Sequence, residues 1–218
     1  NRIYGGNSIT AKKLGLLNPK ILRPKSQLLS KLYTYCPSEH IEKVKAALFS
    51  TGGGSIGNYS ECSFETEGKG NFTAGDSANP FVGEIGERHT ENEIKLEVIF
   101  ETKDQRNILR ALFESHPYEE VAFEVIELRN SHSEIGSGLI AEFETEINSE
   151  DFLRKLKSVL GTPSIKHSQL GNKKIKKVAL CGGCGSFLIK DAIAAGADAY
   201  LSGDIGYHYF FDANGKIF

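Results

Sequence analysis

The chain has 218 residues, 25% of them charged and 39% hydrophobic, with a formal charge of −2 at pH 7. That balance allows a buried core, excludes global disorder and argues against a basic nucleic-acid-binding face. No apolar run approaches the roughly 20 residues that span a bilayer, and four cysteines are too few for a disulfide scaffold. A soluble protein of a reducing cytoplasm, with one or two domains, is the expectation.

In chain order, an opening loop leads to a first helix. Asn7 or Ser8 is placed to cap it, and Ile9, Lys12, Lys13 and Leu16 follow at helical spacing, with Gly15 at its end. Pro19 and Pro24 interrupt regular structure, so residues 18–25 read as a linker.

An internal repeat comes next. Leu32-Tyr33-Thr34-Tyr35 has strand composition, and Ile41, Val44, Ala47 and Leu48 form a helical stripe within residues 38–50. Residues 58–65 resume a strand pattern. Residues 67–87 carry five glycines and read as an irregular loop or a wide hairpin. Residues 94–100 then alternate apolar and polar, as a half-buried strand does. Thr102 and Gln105 have capping-box spacing before a helix carrying Ile108, Leu109, Leu112 and Phe113, and residues 121–128 alternate again. Ala47-Leu48-Phe49 recurs as Ala111-Leu112-Phe113. Two tandem strand–helix–strand units predict a ferredoxin-like sandwich of about a hundred residues.

After a polar boundary at 130–138 the pattern changes. Residues 139–143 are strand-like, and Ser149 is placed to cap a helix over 150–160. The apolar run 176–181 suits a buried strand. It enters the glycine turn Gly182-Gly183-Cys184-Gly185-Ser186, followed by a helix over 187–195 and a second strand ending at Gly203-Asp204. Strand, turn, helix, strand predicts a parallel unit whose turn lies at the carboxyl edge, where ligands bind in open sheets.

Three groups of residues have chemical potential. Gly182, Gly183, Gly185 and Ser186 would let a backbone approach an anion at a helix start, though glycines that merely permit a tight connection fit equally well. Cys181 and Cys184 have C-x-x-C spacing without a second cysteine pair, which favours two ordinary small residues over a redox or zinc site. Asp204 and His208 stand four apart past a strand end. On one helical face they would serve a metal, a proton transfer or a substrate. In His116-Pro-Tyr-Glu-Glu120 the proline stops a helix, and the glutamates read as solvated turn charges.

Five motifs in order then point to a family. Ile56-Gly-Asn-Tyr-Ser-Glu-Cys-Ser-Phe64, Asn79-Pro-Phe-Val-Gly83, His116-Pro-Tyr-Glu-Glu120, Val178-Ala-Leu-Cys-Gly-Gly183 and Gly203-Asp204 with Tyr207-His208 resemble the dinuclear-metal, hexameric GTP cyclohydrolase 1 type 2 homologues. Within them, the chain resembles the branch carrying a PII-like or CutA-like insert. The resemblance implies an α/β metal-site domain from residues 1–29 and 131–218, interrupted by an inserted ferredoxin-like domain at 30–130. It implies two divalent ions (Zn, Mn or Fe) and a homohexamer built as a trimer of dimers. It also implies hydrolytic opening of a purine nucleotide such as GTP; the charge balance and the apolar run lengths add the expectation of no nucleic-acid partner and no membrane. Asp204 and His208 would sit near the metals as proton-handling groups, and Gly182, Gly183, Gly185 and Ser186 would shape the substrate pocket.

The family's metal ligands are an early His-His pair, an Asp, and a late Gly-His with a Glu beyond it. None has a matching position here, so no metal ligand is carried over. The chain opens on Asn1 and ends on Phe218, just past Asn214-Gly215 and into an apolar pair. The expectation is a longer product trimmed at both ends, with the ligands outside this chain. Where the family has a small residue in the glycine turn, Cys184 stands here. The alternative to an enzyme is a non-catalytic metal-binding hexamer, a regulator or scaffold with a ligand-sensing insert.

Overall fold

The computed structural model describes residues 5–170, 173–213 and 215–218. The chain begins with α1 (Gly6–Lys13) and β1 (Leu17–Pro24). There follow β2 (Leu29–Pro37), α2 (Ile41–Ser50), β3 (Ser63–Thr73), β4 (Arg88–Glu101), α3 (Gln105–Ser115) and β5 (Phe123–Leu128). The remainder holds β6 (Gly136–Asn148), α4 (Ser149–Leu160), β7 (Lys174–Cys184), α5 (Ile189–Ala194), β8 (Ala199–Asp204) and α6 (Tyr209–Ala213). Asn1–Lys25 with His132–Phe218 form one compact unit, and Ser26–Ser131 form another. The opening loop falls on residues 1–4, which lie outside the described residues, as does Asn214 of the expected turn. No helix among the described residues is long and apolar enough to cross a membrane.

The first unit is built on a sheet of order β1-β6-β7-β8, with β7 and β8 parallel and the other pairs antiparallel. Strand alternation divides its apolar side chains between two cores. Leu139, Ala141, Val178, Leu180 and Ala199 pack with Ala11 and Leu14 of the α1 segment and with Phe152 and Leu156 of α4. Ala179, Cys181 and Tyr200 face the other way, against Leu188, Ile189 and Ala192. Helices on both faces explain why residues 178–181 form a continuous apolar run.

Residues 18–25 are not a linker. All but Lys25 belong to β1, which pairs antiparallel with β6 from Leu17↔Glu142 to Pro24↔Gly136. The prolines are tolerated because β1 is an edge strand, and the register shifts between Leu17 and Lys20, around Pro19. Arg23 secures this edge: its guanidinium forms a two-pronged ion pair with Asp191 of α5 and donates to the Phe187 carbonyl at 2.9 Å.

The second unit is a sheet of order β3-β4-β2-β5, antiparallel throughout. With one helix after β2 and one after β4, this is the ferredoxin-like arrangement. A single core joins Leu32, Leu96, Val98 and Phe100 of the sheet to Val44 and Leu48 of α2 and to Ile108 and Leu112 of α3. The expected alternation of residues 94–100 is met, since Leu96, Val98 and Phe100 are buried and their neighbours are partly exposed. The glycine-rich segment resolves as a wide hairpin, with β3 and β4 paired from Ser63↔Val98 to Thr73↔Arg88.

Two expected caps are replaced. Thr102 makes no cap; its hydroxyl lies 2.9 Å from that of buried Ser30. At α4 the capping side chain is Asn148, one residue earlier than Ser149, and its carboxamide oxygen accepts from Asp151 N at 2.8 Å.

Candidate functional site

The carboxyl ends of β7 and β8 carry the residues singled out in the sequence. The two strands run in register from Val178↔Ala199 to Cys181↔Ser202, and the next pair is Cys184↔Asp204. One extra residue on β7 makes a bulge there. Gly183 occupies it with φ +77°, a conformation that a side chain strains. The strands also approach closely: a Cβ at Gly203 would lie 3.0 Å from Gly183 N.

A hydrogen-bonded frame holds the bulge. Ser202 Oγ accepts from Gly185 N at 3.0 Å, and its own proton lies between the carbonyls of Gly183 and Asp204, at 3.0 and 3.1 Å. The Tyr200 hydroxyl donates to the Gly185 carbonyl at 2.7 Å. From α1, Asn7 Oδ1 accepts from Gly182 N at 2.7 Å, and Ser186 Oγ accepts from Gly206 N at 3.2 Å. Two amides that a phosphate would require, those of Gly182 and Gly185, are therefore donated to protein oxygens. Packing requires the glycine at 185, because a Cβ there would meet Ser202 Oγ at 2.7 Å and Cys181 Cβ at 2.8 Å.

The helix after the turn does not start at 187. A 3-10 turn over Ser186–Leu188 intervenes, and α5 has only six residues. Asp204 and His208 do not share a helical face either: Asp204 ends β8, while α6 begins at Tyr209. Both are exposed. Cys181 and Cys184 are free thiols on opposite sides of the bulge, the first buried and the second exposed. Burial beside Cys181 pushes the Tyr200 hydroxyl pKa well above its ordinary value, which keeps it a donor. Among the described residues no group of three or more His, Cys, Asp or Glu is placed to hold a metal ion.

Next to this frame lies a cavity of about 440 Å³. Leu156 of α4, His167, Ser202, Asp204, Tyr209 and Phe218 are among its lining residues. Of the residues chosen from sequence only Asp204 lines it; Gly182, Gly183, Gly185, Ser186 and His208 do not. Phe218 reaches the wall by running beside β8, where its carbonyl accepts from Tyr200 N at 2.8 Å and its amide donates to Asp198 O at 2.9 Å. Sequence reasoning missed Asn7, Ser202 and the segment around His167. Asn7 and Gly182 stand 175 residues apart, so no local spacing signals their contact.

A sequence profile of the family described as Duf34/NIF3 (NGG1p interacting factor 3) matches residues 1–217. The chain belongs to this family. Its Duf34/NIF3 relatives include a Bacillus subtilis protein named GTP cyclohydrolase 1 type 2 homolog, 36% identical over 210 residues. That alignment covers 96% of this chain and 56% of the relative, so the chain spans about half the length of the curated relatives it matches. A Staphylococcus aureus protein of the same name is 34% identical over 96% of this chain and 57% of its own length. Among solved Duf34/NIF3 structures, a Bacillus cereus protein related to NIF3 superposes with a TM-score of 0.82 at 34% identity, covering 96% of this chain and 56% of that one.

Proposed function

We propose that this chain is part of a metal-dependent hydrolase of the GTP cyclohydrolase 1 type 2 homologue kind, which opens a purine nucleotide. The name its relatives carry supports the reading. The observation that carries it is the cavity beside the carboxyl end of β8, with Asp204 in its wall. Open α/β sheets bind small molecules at that edge.

The reading brings two divalent ions (Zn, Mn or Fe), a cytoplasmic setting and assembly as a homohexamer. The described residues do not fit a two-metal centre, since they gather no ligand cluster. Their part is to bind and orient. The frame of Asn7, Tyr200 and Ser202 fixes the backbone at the strand ends, the apolar wall of Leu156 and Phe218 excludes water, and Asp204 accepts a hydrogen bond or a proton from the bound nucleotide. His208 stands four residues beyond, and Gly182, Gly183 and Gly185 are held by Asn7 and Ser202 in the turn behind the cavity rather than cradling phosphate, with Ser186 beside them.

Turnover of GTP by the full-length protein, supplied in turn with Zn, Mn and Fe, tests this by chromatography of the products. Asp204→Asn is expected to lower turnover at least about tenfold without changing the melting temperature. Absence of turnover with every metal overturns the hydrolase reading and returns the scaffold. Unchanged kinetics in Asp204→Asn remove the role given to that carboxylate.

A further inference from the structure

The second unit has a cavity of its own, of about 670 Å³, on the β3–β4 hairpin. That volume suits a small molecule. Four of its lining residues are aromatic, Tyr35, Phe72, Phe81 and Tyr118; the Tyr118 ring lies 6.4 Å from that of Phe72 and 6.2 Å from that of Phe81, with interplanar angles of 60° and 50°. The rings pack against one another, one pair edge to face and the other tilted, along the cavity wall.

The cage is held in place by its neighbours. Buried His116 donates from Nε2 to the Tyr35 carbonyl at 2.9 Å, and its Nδ1 accepts from Tyr118 N at 3.1 Å. The Tyr118 hydroxyl donates to Glu93 Oε1 at 2.8 Å. Glu93 in turn lies over Gly70, where any Cβ would collide with its carboxylate. A glycine in mid-strand weakens a sheet, and here it makes room for a carboxylate at the cavity wall.

Charge decides the class of ligand. On the sheet face that carries Phe72, and in the turn after α3, the lining has three carboxylates, Glu93, Glu119 and Glu120, against one ammonium group, Lys95. Lys95 is already engaged, 4.5 Å from the Tyr33 ring centroid and 3.9 Å from Glu97 Oε1. Acidic walls and π faces both repel phosphate and attract a cation.

We infer that this cavity binds an organic cation, an ammonium group carried on an apolar body, with the charge among Phe72, Phe81 and Tyr118 and facing Glu93. The site lies in the ferredoxin-like unit and stands whether or not the first unit is a hydrolase. Burial raises the Tyr118 hydroxyl pKa, so it remains a donor to Glu93 at neutral pH.

Calorimetric titration of the protein with 2-phenylethylamine, 2-phenylethanol and phenyl phosphate tests the inference. The amine is expected to bind about tenfold more tightly than the isosteric alcohol, and the phosphate more weakly than either. Glu93→Gln should remove most of the gap between amine and alcohol. Glu120→Gln, at an exposed turn position in the lining, should narrow it without risk to folding. Equal affinity for amine and alcohol, preference for the phosphate, or no binding of the amine overturns the inference. So does a gap that survives both substitutions.

Discussion

The Tyr200 hydroxyl and the Gly185 carbonyl, 2.7 Å apart, join β8 to the residue that follows the bulge of β7. Tyr200 is only 8% exposed, so water is a poor substitute for the lost donor. Tyr200→Phe keeps the ring and removes the bond. The expected cost is about 1–3 kcal/mol, the penalty for a buried acceptor left without its partner. The urea midpoint measures it, and an unchanged midpoint shows that the bond does not brace the strand ends.

Gly185→Ala attacks the same junction from the other side. The added methyl would meet Ser202 Oγ, Cys181 Cβ and the Tyr200 hydroxyl, which already hold each other in place. Overpacking of this kind costs about 1–3 kcal/mol. Gly182→Ala meets only Asn7 Oδ1, at 3.1 Å, and should cost less. Equal melting temperatures for the two variants would contradict the packing argument.

The parts of the fold legible in sequence are those with a repeating local pattern. Leu96, Val98 and Phe100 alternate because one sheet face is buried, and Ile108 and Leu112 recur at helical spacing because one helix face is. The expected Lys176–Cys181 run is apolar because helices cover both faces of β7. What stayed hidden depends on contacts across long stretches of chain. Pro19 and Pro24 read as breakers, yet Ile21 and Arg23 find partners in Leu139 and Ser137 of β6. Asn7 reads as a helix cap, yet its carboxamide holds Gly182. Asp204 and His208 look like one helical face by spacing alone, but spacing does not say that α6 starts only at Tyr209. Tyr118 reads as part of a charged turn, and only the fold brings it to Phe72 and Glu93.

The four thiols should separate by exposure. Cys184 is exposed and Cys62 partly so, while Cys36 and Cys181 are buried. Burial, with Glu93 nearby, pushes the Cys36 pKa up to about 12, so almost no thiolate exists there at neutral pH. A chromogenic disulfide reagent is expected to label Cys184 within mixing time, and Cys36 only as fast as the second unit opens. Rapid labelling of Cys36 in native conditions would show that its core is not closed.

Acid is expected to destabilise the second unit through His116. Burial holds its pKa below the ordinary value; the hydrogen bond to the Tyr35 carbonyl opposes that shift and nearby His40 adds to it. A proton on Nδ1 would face the Tyr118 amide proton that this nitrogen accepts. The unfolded chain, with a histidine pKa of about 6.5, therefore takes up the proton first. Stability from the neutral ring is whole above that value and falls as pH drops below it, toward the lower folded-state value. His116→Gln has no such titration. Between about pH 7.5 and pH 5.5 the wild-type urea midpoint is expected to fall further than that of the variant, and parallel losses would show that His116 is not the group responsible.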